Sequence, residues 1–216
     1  MLAALCLSSL LIKIAFLFVA PETQQFLINH GGFQPGQISV AALSSQSGWL
    51  DKNLLTLLTA LFIHADWPHL LGNLAYLMVF GVAVEKALGN WLFGVLFLLL
   101  GGLANLYAAI HLGDLATPII GASSGVSAVM GIYLGLFPRR RMGLWIPLGL
   151  YLDFVRVPAL MVIGSWFTLQ LLYSIFGPVE TQVAWSAHIA GFLLGLLAAT
   201  VLRLFPRRYN LAYRDD

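Results

Sequence analysis

Apolar runs of about twenty residues recur along this chain, separated by short polar breaks. A bilayer core needs about 20 mainly apolar helical residues to be crossed. Six stretches meet that length, at about 2–20, 67–86, 91–110, 119–137, 157–176 and 183–205. The run Leu54–Ile63 is too short to cross, and it predicts a re-entrant or interfacial helix leading into the second span. The first segment has the look of an export leader. However, it lacks a basic start, carries Lys13 in its middle and offers no small-residue cleavage site before Pro21, so a retained helix is expected. The pattern predicts an all-α membrane protein of six transmembrane helices, occupying residues 1–216 as a single domain.

Composition agrees. Of the 216 residues, 60% are hydrophobic and 9% are charged, where a soluble domain carries roughly 25% charged residues. So few charges cannot cover a water-facing surface, so most of the exterior must face lipid. The net charge of +2 gives no sign of a nucleic-acid partner, and none is expected. The single cysteine, Cys6, excludes an intramolecular disulfide and a cysteine-built zinc site.

Charge placement predicts orientation. Of the 11 Lys and Arg, nine (Lys86, Arg139, Arg140, Arg141, Arg156, Arg203, Arg207, Arg208, Arg214) lie beside loops after even-numbered spans or in the C-terminal tail. Lys52 lies on the other side, and Lys13 lies within span one. Both termini are therefore expected on the cytoplasmic side. The lack of a large soluble domain or transit peptide favours a prokaryotic cytoplasmic (inner) membrane.

With that orientation, spans two, four and six run the same way. Asn73, Ser123 and His188 then each lie roughly 6–10 Å below the outer ends of their spans, at 1.5 Å per residue. Polar side chains at such depths are costly and usually functional. A lone serine is more often a packing residue, and a lone histidine a structural hydrogen-bonding group. Together they make a nucleophile and its base, because a serine hydroxyl needs a base within hydrogen-bonding reach to take its proton. Small residues four apart form grooves that let helices approach closely. Ala187-x-x-x-Gly191-x-x-x-Gly195 and Ser127-x-x-x-Gly131-x-x-x-Gly135 put such grooves on the two helices concerned. His69 and Asn73, four apart on one face of span two, are candidates to line an oxyanion site with the Ser123 backbone N–H, which lies in the first turn of its helix.

Gly121-Ala122-Ser123-Ser124, His69-x-x-x-Asn73 and Ala187-His188-x-x-Gly191-x-x-x-Gly195 resemble the motifs of the rhomboid intramembrane serine proteases, in family order and on matching helices. Val84-Glu85-Lys86-x-x-Gly89 and Trp166-x-x-x-Gln170 are further echoes. The resemblance covers about residues 50–200. It implies a six-helix rhomboid-like bundle that cleaves single-span membrane proteins near their extracytoplasmic end. Ser123 would be the nucleophile and His188 the base, with no aspartate and no cofactor. His69 and Asn73 would line the oxyanion site, and Trp166 would lie on the helix that gates lateral access from the lipid bilayer.

The chain departs from that family at three places. Ser124 stands where a motif glycine is usual, which leaves Ser123 and Ser124 as alternative nucleophiles on helical geometry; the spacing to Gly131 favours Ser123. Ser127 stands where some members have a tyrosine packing beside the histidine, so the orientation of His188 must come from elsewhere. The first outer loop carries Trp49 but no arginine. Of the other histidines, His30 and His111 are read as loop residues, and His64 as a cap to the short run before span two. A metal site built on His64 and His69 lacks an acidic ligand, and none is expected. The rival readings are a catalytically silent membrane-client binding protein of the same fold and a small transporter. The transporter would be expected to show inverted repeats or broken helices at the midplane.

Overall fold

The computed structural model describes residues 1–38, 52–113, 115–148, 151–177 and 184–205. The helices are α1 (Leu2–Ala15), α2 (Pro21–Gly31), α3 (Lys52–Thr59), α4 (Trp67–Leu88), α5 (Asn90–Leu112), α6 (Ser123–Leu136), α7 (Ala159–Phe176) and α8 (Trp185–Arg203). Tight 3-10 turns at Phe16–Phe18 and Ala60–Phe62 extend α1 and α3. Trp49, Arg207, Arg208, Arg214 and most of the polar stretch Gly177–Gln182, which figured in the sequence reading, lie outside the described residues.

The chain is a helical membrane protein. Among the described residues four helices, α4, α5, α7 and α8, are long and apolar enough to cross a bilayer. Their outward faces are apolar, as lipid requires. Leu99 and Leu103 on α5, Leu169 and Leu172 on α7, and Leu193 and Leu197 on α8 are all exposed. Helix boundaries follow local signals. Asp66 caps α4, its carboxylate accepting the His69 N–H at 2.7 Å, with Pro68 in the first turn. Gly89 ends α4 at φ +82°, where a side chain would be strained.

The expected spans one and four are shorter as helices. The first is α1 plus its 3-10 turn, ending at Phe18. The fourth, expected over 119–137, is helical only from Ser123. Pro118 and Gly121 break it, and the chain descends to Ser123 in extended form. Non-helical backbone is tolerated at such depth only where protein satisfies it. Here it does. Phe33 and Ile119 exchange backbone hydrogen bonds at 3.1 and 2.8 Å, and the Gly121 N–H donates to Ala60 O at 2.9 Å. α6 is buried along nearly its whole length, so it needs no lipid-spanning exterior.

The all-α expectation is corrected in one loop. Strands β1 (Arg141–Leu148) and β2 (Tyr151–Pro158) pair antiparallel, with Arg141 opposite Pro158 and Leu148 opposite Tyr151. The β-branched and aromatic residues Trp145, Ile146, Phe154, Val155 and Val157 suit such a ribbon. In the sequence, the arginine run before it and the apolar span after it mask this signal. Two histidines read as loop residues are helical instead: His30 in α2 and His111 near the end of α5.

Packing centres on α6. It lies between α5 and α8, with α4 against it as well. α6 and α8 meet along the two glycine grooves. A Cβ built on Gly195 would lie 2.9 Å from Ala128 C and 3.0 Å from Ile132 N, and nearer still to Ala128 O. Gly191 meets Ser124 O, and Gly131 meets Phe192 O, in the same way. Backbone touches backbone along this seam, which is what small residues four apart allow. Phe80, Phe93, Phe97, Phe137 and Leu77 fill the core around it. α7 is different: 17% of its apolar window is buried, against 44–56% for the other three spanning helices. It rests on the bundle along a narrow stripe, Ala159, Ile163 and Gln170. Lys13 of α1 donates to the backbone oxygens of His64 and Ala65 at 3.3 and 2.7 Å, tying α1 to the start of α4.

Candidate active site

The α6–α8 seam brings Ser123 and His188 together. Ser123 Oγ lies 2.8 Å from His188 Nε2 across 65 residues of sequence. Gln170 of α7 completes a chain: its Oε1 lies 3.0 Å from His188 Nδ1. An amide oxygen accepts only, so Nδ1 carries the ring proton. Nε2 is then left as the acceptor for the Ser123 hydroxyl. The Trp185 ring packs edge-on to His188 at 5.8 Å, with the planes at 90°. His188 and Gln170 are both buried.

The two serines are distinguished. Ser123 faces His188, while Ser124 is fully buried, with no hydrogen-bond partner for its hydroxyl among the described residues. Ser127 is no stand-in for a packing tyrosine; its hydroxyl donates back to Ser123 O at 2.6 Å. The orientation of His188 comes from Gln170 instead. The sequence marks Gln170 as a polar residue in an apolar helix, four after Trp166, but not its partner.

A cavity of about 750 Å³ opens over this pair, lined by Asp66, His69, Asn73, Ser123, Trp166, Gln170 and His188 among others. Asn73 is buried, and its Nδ2 has no hydrogen-bond partner among the described residues. Ser123 opens α6, so its N–H falls in the first turn, where no intrahelical acceptor exists. Two donor groups therefore border the space beside Ser123 Oγ. His69 sits against Gly121, where an added Cβ would lie 2.6 Å from His69 Nε2. Gly121 also has φ +121°, so both its backbone conformation and the ring beside it require glycine. Trp166 lines the same cavity, with its ring centroid 6.2 Å from that of Phe192.

His64 has a role that the capping expectation missed. Its Nε2 accepts the Ala122 N–H at 3.3 Å, bracing the turn just before Ser123. Burial, with the charges of His69 and Lys13 adding to it, lowers its pKa to about 4, so the ring is neutral and able to accept. His64 and His69 pack edge-to-face, 5.1 Å between centroids. The five-residue spacing from His69 was the available signal. Among the described residues, no group of three His, Cys, Asp or Glu is placed to hold a metal ion.

Residues 51–205 match the family model described as the Rhomboid domain. Three proteins of Arabidopsis thaliana are similar to the chain. Rhomboid-like protein 11, chloroplastic, is 28% identical over 159 residues, covering 68% of this chain and 52% of that protein. RHOMBOID-like protein 12, mitochondrial, is 27% identical over 199 residues, covering 83% and 52%. RHOMBOID-like protein 9, chloroplastic, is 27% identical over 148 residues, covering 68% and 32%. The chain thus spans about half or less of the length of these relatives.

Proposed function

Because the chain belongs to the rhomboid family, we propose that it is an intramembrane serine endopeptidase that cleaves transmembrane segments of single-span membrane proteins. The observation that carries this reading is the 2.8 Å contact of Ser123 Oγ with His188 Nε2 in a cavity lined by both polar and apolar residues of an apolar helical bundle. In this mechanism His188 Nε2 takes the hydroxyl proton as Ser123 Oγ attacks the scissile carbonyl carbon. The C–N bond then breaks, and the proton passes from His188 to the leaving amine. A water activated by the same nitrogen hydrolyses the acyl-enzyme, releasing the second product and the free serine. The Ser123 N–H and Asn73 Nδ2 hydrogen-bond the oxyanion, with His69 alongside. No cofactor takes part.

The loosely seated α7, bearing Trp166, is the proposed gate through which a lipid-embedded substrate reaches the cavity. Six membrane crossings follow if α1 with its 3-10 turn, and α6 with its extended lead-in, each traverse the bilayer. The placement of Lys and Arg supports cytoplasmic termini and a cleavage site toward the outer face. The purified chain, reconstituted in vesicles with a single-span test substrate, is expected to cleave it, and Ser123→Ala to abolish cleavage. Cleavage surviving in both Ser123→Ala and Ser124→Ala would end the serine mechanism. A silent client-binding protein would bind the substrate without cleaving it and leave a serine-directed phosphonate unreacted.

A further inference from the structure

Gln170 joins two parts of the molecule that the protease reading treats separately. It is the partner of His188 Nδ1, and it sits on α7, the least embedded of the four long apolar helices. On the buried stripe of α7, Ala159 and Ile163 are apolar, and Gln170 is the polar member. The ring contacts that hold α7 to α8 lie either side of it. Phe167 packs on Phe192 with centroids 4.6 Å apart, and Tyr173 stacks on Trp185 at 5.0 Å. The hydrogen bond that fixes the His188 tautomer therefore forms only while α7 is seated against α8.

We infer that Gln170 is a positioning residue that couples the seating of α7 to the competence of the Ser123–His188 pair. With α7 seated, Gln170 Oε1 accepts the Nδ1 proton and turns the Nε2 lone pair onto Ser123. With α7 displaced, the imidazole loses that partner, and Nε2 is no longer held as the acceptor. Lateral opening and chemistry are thereby separated in time: the open gate has an idle dyad, and reseating α7 over a bound segment restores it. This inference rests on the protease reading of the same site.

The test uses the full chain in detergent and a small serine-directed fluorophosphonate that reaches Ser123 through the cavity mouth without lateral access. Gln170→Leu is expected to slow labelling on the order of 10- to 100-fold, up to the lower end of what general-base assistance contributes because the base itself remains, with the unfolding temperature held within a few degrees. Gln170→Glu, which still accepts the Nδ1 proton, is expected to restore labelling to within about threefold of the unaltered chain. Phe167→Ala, which loosens α7 from α8, is expected to slow labelling several-fold in the unaltered chain, with little further loss in the Gln170→Leu background, because coupled residues are non-additive. Labelling of Gln170→Leu at the original rate, or no rescue by Gln170→Glu, overturns the positioning role while leaving the protease reading intact. Equal Phe167→Ala losses in both backgrounds overturn the coupling. No Ser123 labelling in the unaltered chain overturns the protease reading, and this inference with it.

Discussion

The α6–α8 seam makes a quantitative demand on Gly195, which lies two turns of α8 from His188 and touches no reacting group. In Gly195→Ala the new Cβ would lie 2.9 Å from Ala128 C and 3.0 Å from Ile132 N, where ordinary contact begins at 3.4 Å. Its neighbours are backbone atoms of α6, which cannot rotate away. Ala128 O would lie nearer still, so the helices must part by about 1 Å or more to restore normal contacts. Overpacking of this kind costs about 1–3 kcal/mol. The Ser123–His188 hydrogen bond spans the same two helices at 2.8 Å, and parting them by that amount takes it to or beyond about 3.5 Å, the limit of a useful bond. Gly195→Ala is therefore expected to lower the detergent unfolding temperature by several degrees and to slow phosphonate labelling of Ser123 at least tenfold. The control is Gly164→Ala, in a spanning helix where an added Cβ meets no atom within 4 Å. It is expected to be neutral or to gain up to about 1 kcal/mol from helix propensity. If the two variants melt and label alike, the backbone-to-backbone seam is refuted.

Other outcomes follow from the site. Ser124→Ala removes a buried, unpartnered hydroxyl. It is expected to raise stability by up to about 1 kcal/mol and to keep cleavage, whereas Ser123→Ala abolishes it; thermal melts and the vesicle assay read both. Asn73→Ala is expected to lower kcat on the order of 100-fold with KM little changed, as for loss of one oxyanion donor, measured with a membrane-anchored substrate series. His64 has a folded-state pKa of about 4 against 6.5 unfolded, so its contribution is present above pH 6.5 and is lost as pH falls from 6.5 toward 4. That loss is at most about 3 kcal/mol. The unfolding temperature of the unaltered chain should thus drop more steeply between pH 7 and pH 4.5 than that of His64→Gln, and parallel curves would count against a neutral, buried His64.

Much of this protein is legible in its residues taken in order. Runs of apolar residues and an excess of Lys and Arg after alternate runs mark a membrane bundle, because lipid admits no charged exterior and crossing length is set by the bilayer. Asn73, Ser123 and His188 stand out because polar groups at that depth need a reason, and the glycines four apart on α6 and α8 show that two of their helices can touch. Those are local properties, carried by spacing alone. Three other features belong to the tertiary structure. α6 could be short because α4, α5 and α8 surround it, and Ala60, Phe33 and His64 satisfy the extended backbone leading into it. The two serines of Gly121-Ala122-Ser123-Ser124 are separated only by which side of α6 meets α8, a rotation that a helix with small residues over more than half its circumference does not encode. Gln170 found His188 because α7 lies against α8 at one register. A side chain's partner across the bundle is a matter of how helices rest on one another, and no spacing within a single helix specifies it.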